Sequence, residues 1–267
     1  MKKPKLIAVD MDGTLLNERS ELTERTEKAL HNAIADGIKV VVATGRMYPS
    51  ALPFVKRLGT DAPCIFYNGA IVRNPVTKEI YYERGLGEET TADILSLYKD
   101  NNWYVQTYFD DKLYVVDDKD ERCKYYESIS RMKAVPLGEE FWRFGVDSTK
   151  MLGIAFDPEE YSAMTKATTD ELSGRVYAAT SWGSFIEMVH PDVNKAKALE
   201  SVATMLGIAR EDVMAFGDGS NDKEMLLWAG TGVAMGNACD KVLAVADIVA
   251  PSNDDDGIAV IVEELLR

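Results

Sequence analysis

Four aspartates stand in two short polar segments, each of which follows a run of apolar residues. Asp10 and Asp12 belong to the segment DMDGT at 10–14, whereas Asp218 and Asp222 belong to GDGSND at 217–222. Four carboxylates in one crevice repel one another strongly unless a cation binds there or some of them stay protonated. Because all of these ligands are oxygens, with no histidine or cysteine among them, they favour a hard cation. The residue types therefore predict a Mg²⁺ site.

Asp10 and Asp12 also have the spacing for a covalent reaction. Residues two apart on an extended chain point the same way, and Gly13 permits a tight turn after them. One carboxylate can attack phosphorus and form an aspartyl-phosphate, while its neighbour donates and then accepts a proton. Since nucleophile and phosphate are both anionic, the site would need a metal ion, a lysine, a hydroxyl and backbone N–H groups.

The elements that would position these side chains alternate regularly. Continuous apolar runs at 5–9, 38–43 and 64–67 are typical of strands that are buried on both faces of a parallel sheet. Helices are predicted between them, the first with Thr23 as its N-cap and the second over 48–58. This rhythm predicts an α/β fold with a doubly wound, mostly parallel, Rossmann-like core, in which ligands bind at the carboxyl ends of the strands.

The middle of the chain has a different pattern. Helices there mix with strands of alternating polarity, such as 103–108, and aromatic residues concentrate. Such alternation suits an antiparallel sheet with one covered face. We therefore predict an inserted α+β cap over 86–187, and a core made of 1–85 and 188–267. Three aromatic residues of the cap are candidates for a substrate pocket, although core positions are commoner for such residues: Tyr108, Trp182 and Phe185.

Together these segments resemble the haloacid dehalogenase-like (HAD) superfamily, and more narrowly its Cof-type phosphatases with a type-two cap (subfamily IIB). The resemblance covers essentially the whole chain. Five segments match family motifs in order: DMDGT at 10–14, Thr44-Gly45-Arg46, Asn68-Gly69-Ala70, Asn194-Lys195, and Asp218 with Asn221 and Asp222.

The resemblance implies a role for each matched residue. Asp10 is the nucleophile and Asp12 the general acid and base. Thr44 and Lys195 grip the phosphoryl oxygens. Substrate binding is implied for Gly45, Arg46 and Asn68 in addition to Thr44 and Lys195. For Mg²⁺, it implies Asp10, Asp218 and the backbone carbonyl of Asp12 as ligands, with Asn221 and Asp222 binding or orienting a ligand water.

One position departs from the family pattern. Cof-type chains usually have glycine after the motif lysine, whereas this chain has Ala196 followed by a second lysine, Lys197. Lys197 is therefore a rival for the role, although Lys195 is in the matching position. Alanine favours helix more than glycine does, so the helix is expected to begin a little earlier than in Cof-type chains.

The resemblance implies a Mg²⁺-dependent phosphoric monoester hydrolase that acts on a small phosphorylated metabolite, with a sugar phosphate as the first expectation. Two alternatives stay open. A phosphomutase would return the phosphoryl group to a sugar rather than to water, and a non-catalytic sensor would bind a phosphorylated metabolite without releasing phosphate.

The net charge of the chain limits the classes of molecule that are expected to bind it. Among 267 residues, 44 are acidic and 30 are basic, which gives a net charge of −14. Such a surface repels nucleic acid and anionic membranes, so neither is expected as a partner. We expect a small-molecule substrate and a monomer or small homo-oligomer.

Three widely spaced cysteines, an odd number, indicate reduced thiols in a cytoplasmic protein.

A further acidic run at 252–257 directly precedes the last predicted helix. Capping of that helix explains such a run without any ligand, so we expect a structural role for it.

Overall fold

The structure, a computed structural model, describes residues 2–181 and 184–267. These residues fold into two compact units. The core unit takes in the chain up to Gly45, Ala51–Tyr82 and Asn194–Arg267, and the cap unit takes in Arg46–Ser50 and Glu83–Val193. The predicted limits at 85/86 and 187/188 stay a prediction. Trp182 lies outside the described residues.

The first part of the chain alternates strands and helices in the predicted order. The elements are β1 (Leu6–Val9), α1 (Glu24–Ala35), β2 (Lys39–Val42), α2 (Tyr48–Leu58), β3 (Cys64–Phe66), β4 (Ile71–Arg73) and β5 (Ile80–Glu83). Thr23 is the N-cap of α1, because its side chain accepts a hydrogen bond from the Thr26 amide. β3 ends one residue earlier than predicted, because Tyr67 and Asn68 adopt left-handed backbone angles.

The middle of the chain forms the cap unit, a single mixed sheet with helices. Its elements are α3 (Glu88–Asp100), β6 (Val105–Phe109), β7 (Lys112–Val115), α4 (Glu121–Ser130), β8 (Ala134–Pro136), β9 (Lys150–Ile154), α5 (Pro158–Glu171), β10 (Tyr177–Ser181) and β11 (Phe185–Val189). The strand order is β10-β11-β9-β6-β7-β8. Neighbouring strands run antiparallel, except that β7 and β8 run parallel.

The two faces of the cap sheet differ in chemistry. On one face Met151 and Ile186 pack in an apolar cluster with Tyr98 of α3 and Met164 of α5. On the other face Lys150 forms an ion pair with Glu187 across β9 and β11, at 3.1 Å, and both side chains are largely buried. Tyr108 and Phe185, named above as pocket candidates, are both buried.

The last part of the chain completes the core unit. Its elements are α6 (Lys195–Met205), β12 (Val213–Gly217), α7 (Lys223–Trp228), β13 (Thr231–Ala234), α8 (Asp240–Leu243), β14 (Ile248–Val249) and α9 (Gly257–Leu265). No helix in the described ranges is both long enough and apolar enough to cross a membrane.

The core sheet determines where the site lies. Its strand order is β14-β13-β12-β1-β2, and every neighbouring pair is parallel. Val9 at the end of β1 pairs with Phe216 of β12 and with Val42 of β2. Because the strands are parallel and in this register, the residues that follow them meet at one edge of the sheet. The predicted α/β class with a parallel core and a separate, largely antiparallel sheet is confirmed.

β1 lies at the centre of the hydrophobic core. All four of its residues have no exposed surface, which is typical of a strand covered on both faces. On one face, Leu6 and Ala8 pack in a cluster with Leu199 of α6 and Leu226 of α7. This burial fixes the strand, and with it the position of the residue that follows.

The acidic run before α9 has a structural role, but not the predicted one. Asp256 is the residue before α9, yet its side chain makes no hydrogen bond to the first turn of that helix. Its carboxylate instead accepts hydrogen bonds from the hydroxyls of Thr23 and Thr26, at 2.5 and 3.1 Å. The prediction that the run caps α9 is therefore wrong for Asp256. It holds the start of α1, where a negative charge also complements the helix dipole.

We expect Asp256→Gly to lower the free energy of unfolding by about 2 kcal/mol, because two hydroxyl bonds to a charged acceptor are lost. Asp256 has a φ of 56°, which glycine and asparagine both tolerate. Asp256→Asn keeps an acceptor oxygen and should therefore lose less than half as much. Urea unfolding followed by circular dichroism measures both, and equal losses in the two variants would contradict the role of the carboxylate.

Candidate active site

Three carboxyl groups and one lysine form the centre of the candidate site. Asp10 directly follows β1, and Asp218 and Asp222 lie in the loop after β12. Oxygen atoms of these three side chains lie within 4.8 Å of one another. The Nζ of Lys195 donates hydrogen bonds to Asp10 Oδ1 at 2.5 Å and to Asp222 Oδ1 at 2.6 Å. The polar ends of two neighbouring strands thus meet, as their places in the sequence predict.

Lys195 reaches this cluster from the first turn of α6. Asn194 caps the helix, since its side chain accepts a hydrogen bond from the Lys197 amide at 2.8 Å. Lys195 is only 1% exposed. Lys197 is exposed. Of the two lysines that the sequence left as rivals, Lys195 is therefore the one that contacts the carboxylates.

Close backbone packing holds the Asp218 side chain. A Cβ on Gly13 would lie 2.3 Å from Asp218 Oδ2, and Gly13 has a φ of 81°, so both space and conformation require glycine. The hydroxyl of Thr14 donates a hydrogen bond to Asp218 Oδ1 at 2.6 Å. The DMDGT segment thus positions a carboxylate of the other motif as well as carrying its own.

Asp222 connects its own loop to the lysine. Its Oδ2 accepts hydrogen bonds from the amides of Asp218 and Gly219 at 3.1 and 3.0 Å, while its Oδ1 accepts from Lys195. This carboxylate is completely buried. Asp222 therefore braces the loop and places the lysine at the same time.

The acidic groups of this cluster outnumber its basic groups, and this affects their pKa values. Burial raises the pKa of Asp10 well above its usual range, and repulsion by Asp222 adds to the shift, while Lys195 opposes it. Burial, again with repulsion by Asp222, raises the pKa of Asp218 to about 7. Burial works against the charge of Lys195, but attraction to Asp10 and Asp222 outweighs it and raises the lysine pKa. One ammonium group faces three carboxyl groups, so the cluster lacks positive charge.

The donor set fits a divalent metal ion. The three carboxyl groups offer oxygen atoms close together, and oxygen donors suit hard cations. A cation there would offset the charge that one lysine leaves unbalanced. Asp10, Asp218 and Asp222 are the side chains that could hold it.

Three of the remaining predicted residues, Thr44, Asn68 and Asn221, are connected by hydrogen bonds. The amide of Asn68 donates a hydrogen bond to the Thr44 carbonyl at 3.0 Å, and Asn221 Nδ2 donates one to Asn68 Oδ1 at 3.0 Å. Thr44 and Asn68 are buried, and Gly45 is half-buried. Asp12 is half-buried in the loop after β1. Arg46 is buried and belongs to the cap unit.

Comparison with known proteins identifies the family of the chain. A family model described as haloacid dehalogenase-like hydrolase matches residues 7–262. The chain belongs to the haloacid dehalogenase-like hydrolases. A putative phosphatase of Bacillus subtilis (strain 168), YxeH, is 35% identical over an alignment of 269 positions, which covers 98% of each chain.

Two further relatives of this hydrolase carry more specific names. The 5-amino-6-(5-phospho-D-ribitylamino)uracil phosphatase YitU of Bacillus subtilis (strain 168) is 30% identical, over 98% of this chain and 97% of its own length. The solved structure of the HAD subclass IIB sugar phosphatase BT4131 is 25% identical with a TM-score of 0.84, over 97% of this chain and 98% of its own. The predicted family is confirmed, and this HAD-like hydrolase is an enzyme of the phosphoric monoester hydrolase class.

Two residues at the candidate site were given no role from the sequence. Thr14 supports Asp218, as described above. Asn237 donates a hydrogen bond to the Gly13 carbonyl at 2.8 Å and accepts one from the Asn253 amide. Thr14 stands inside a motif that was already recognised, and Asn237 follows β13, a third parallel strand that ends at the same edge. That position was the available signal.

Proposed function

We propose that this HAD-like hydrolase is a Mg²⁺-dependent phosphatase, which hydrolyses a small phosphorylated metabolite through an aspartyl-phosphate on Asp10. The observation that carries the proposal is the buried contact of Lys195 with Asp10 and Asp222 beside Asp218. A buried carboxylate held by a cation, with further oxygen ligands beside it, is what attack on an anionic phosphate requires.

In the proposed reaction, Asp10 and Asp12 divide the covalent and proton-transfer steps. A carboxylate oxygen of Asp10 bonds to phosphorus while the bond from phosphorus to the ester oxygen breaks. The carboxyl group of Asp12 gives its proton to that leaving oxygen. Asp12 then takes a proton from water as the water oxygen attacks phosphorus, and the bond between Asp10 and phosphorus breaks. Inorganic phosphate leaves, and both aspartates return to their starting state.

Other residues would hold the phosphoryl group during these steps. We assign its oxygens to the Lys195 ammonium, the Thr44 hydroxyl and nearby backbone N–H groups. Gly45, Arg46 and Asn68 are further candidates for substrate contact. Lys195 suits this role because its contacts with Asp10 and Asp222 hold the ammonium beside the proposed nucleophile.

The residues proposed to hold Mg²⁺ are Asp10, Asp218 and the backbone carbonyl of Asp12, with Asn221 and Asp222 binding or orienting a ligand water. When bound, the ion would supply positive charge that stabilises the phosphoryl oxygens. The bond from Thr14 to Asp218 and the bonds from the loop amides to Asp222 keep these carboxylates in place. Such supporting contacts around a metal site typically affect affinity strongly.

We propose a sugar phosphate as the first substrate to test. The named sugar phosphatase among the structural neighbours supports this class, and the relative named for a phosphoribityl compound supports a phosphate on a polyhydroxylated chain. The net charge of −14 would repel large anionic polymers more than a small monoester.

Release of inorganic phosphate from a panel of compounds tests the proposal. The panel contains hexose and pentose phosphates, a phosphorylated pyrimidine intermediate carrying a ribityl chain, pyridoxal phosphate, flavin mononucleotide and an aryl phosphate. Each is assayed with Mg²⁺ and with a chelator. We expect release that depends on Mg²⁺ and is fastest with a sugar phosphate or the ribityl compound.

Other outcomes would contradict specific parts of the proposal. Release that is equal with Mg²⁺ and with chelator would overturn the metal requirement. Transfer of phosphate to a second sugar position without release would identify a mutase. Binding of a phosphorylated compound without either reaction would identify a sensor.

A further inference from the structure

The segment between β3 and β4 has an unusual backbone. Tyr67, Asn68 and Gly69 have φ values of 53°, 58° and 108° in succession. The left-handed region is unfavourable for residues other than glycine by roughly 1 kcal/mol or more each, and such conformations persist only where the surroundings hold them. Tyr67 and Asn68 are nonetheless 1% and 2% exposed. We call residues 67–69 the strained turn.

The strained turn contacts three segments that carry proposed site residues. The Asn68 amide donates to the Thr44 carbonyl, and the Asn68 side chain accepts from Asn221. On its third side, a Cβ on Gly69 would lie 2.5 Å from the backbone oxygen of Asn194. Asn194 caps the helix that begins with Lys195. The turn is therefore packed against the loop at 217–222, which we call the acidic loop, against the start of α6 and against the end of β2.

The bond between the two asparagines determines which end of the Asn221 amide faces the acidic loop. Asn221 uses its Nδ2 to donate to Asn68 Oδ1, at 3.0 Å. Its Oδ1 lies on the side of the loop, 2.7 Å from the position that a Cβ on Gly219 would take. An amide oxygen can serve a cation or a water bound to it, whereas an amide NH₂ group is a donor and cannot. An Asn221 without its acceptor would be able to rotate.

We infer that Asn68 is a positioning residue for the divalent-cation site, and that it acts through the Asn221 amide rather than by contact with the substrate. This inference rests on the proposed function only in requiring that Mg²⁺ binds at the acidic loop. It replaces the substrate-binding role proposed for Asn68. The left-handed backbone of Asn68 brings its short side chain to Asn221.

Two substitutions at position 68 separate the effect of the Asn68 side chain from the effect of its backbone conformation. Asn68→Gly removes the acceptor and adopts a φ of 58° without strain. Asn68→Asp keeps acceptor oxygens and also tolerates this conformation. Asn74→Ala is the matched control, since Asn74 is a buried asparagine in the turn after β4. Its side chain accepts hydrogen bonds from the amides of Val76 and Thr77 and makes no hydrogen bond to the acidic loop.

The experiment measures Mg²⁺ binding by titration calorimetry on the full-length, metal-depleted protein, together with KM and kcat at saturating Mg²⁺. We expect Asn68→Gly to raise the Kd for Mg²⁺ about tenfold and to leave KM within about twofold. Asn68→Asp and Asn74→Ala should bind Mg²⁺ more nearly as the wild type does. Asn221→Ala should weaken Mg²⁺ binding as Asn68→Gly does, and the double variant should be no weaker than Asn221→Ala alone.

Several results would overturn the inference. An unchanged Kd in Asn68→Gly would do so, as would additive losses in the double variant. A raised KM with an unchanged Kd would return Asn68 to substrate binding. Each of these results counts against the inference only if the wild-type protein binds Mg²⁺ and releases phosphate. A wild type that does neither would instead refute the proposed function, so the two failures are distinguishable.

Discussion

Replacing Asp10 with asparagine is expected to lower kcat/KM for phosphate release by at least about 10³-fold, because the amide cannot form the covalent intermediate. Asp10 is buried at the end of a fully buried strand and bonded to Lys195. Asparagine has nearly the same shape and keeps one oxygen as an acceptor for the lysine. The loss should therefore come from chemistry and not from unfolding. Steady-state phosphate release measures it.

Asp12→Asn is the matched comparison for Asp10→Asn. It changes a neighbouring carboxylate in the same loop, which is half-buried. We expect it to slow both proton transfers, by about 10²-fold or more, yet still to permit attack by Asp10. Rapid-quench trapping should thus detect phosphorylated protein with Asp12→Asn and none with Asp10→Asn. Covalent phosphate on the Asp10→Asn protein would rule out Asp10 as the nucleophile.

Replacing Lys195 with methionine should have the second large effect. Lys195 supplies the ammonium that contacts Asp10 and Asp222, and it is 1% exposed. Methionine fills similar space but leaves two buried carboxylates without this partner. Loss of one member of a buried ion pair typically costs about 3 kcal/mol, and we expect this reduction in the free energy of unfolding in the presence of chelator. At saturating Mg²⁺ we expect kcat/KM to fall by about 10²-fold or more.

The control for Lys195→Met is Lys197→Met, two residues further along the same helix. Lys197 is exposed, so its replacement should change the free energy of unfolding by less than about 0.5 kcal/mol and leave kcat/KM within a factor of two. Urea unfolding and phosphate release measure both variants. If Lys197→Met were the more damaging variant, the assignment of the motif lysine would be reversed.

Much of the core could be predicted from sequence because burial and periodicity are local signals. The run at β1 is apolar throughout, and the strand is covered on both faces. Parallel strands place their carboxyl ends at one edge, so Asp10 and Asp218 were expected to meet before any distance was known. Thr23 is recognisable as a cap from its own residue type and the acidic residues that follow it. The family pattern then supplied an expected role for most residues of the site, but none for Thr14 and none for Asn237.

What the sequence did not predict depends on contacts between distant residues. Asp256 precedes α9 in sequence but bonds to Thr23 and Thr26, more than two hundred residues away, so a local capping rule assigns it to the wrong helix. The end of β3 was misplaced because nothing local makes a tyrosine adopt a positive φ. Tyr67 takes that conformation where Gly69 packs against the backbone of Asn194, a contact between separate parts of the chain.

The discontinuous construction of the core unit has a consequence for folding during synthesis. β1 lies between β2, its near neighbour in sequence, and β12, which lies close to the other end of the chain. A ribosome releases β1 long before β12, so one edge of β1 stays unpaired until β12 has been made. Apart from Arg46–Ser50, the cap unit is continuous in sequence from Glu83 to Val193. Its strands and helices therefore leave the ribosome one after another, without a long interruption. Because closing long loops is costly before distant contacts form, we expect the cap unit, which lacks the acidic cluster, to fold first. The site is therefore completed only when the last third of the chain has been made.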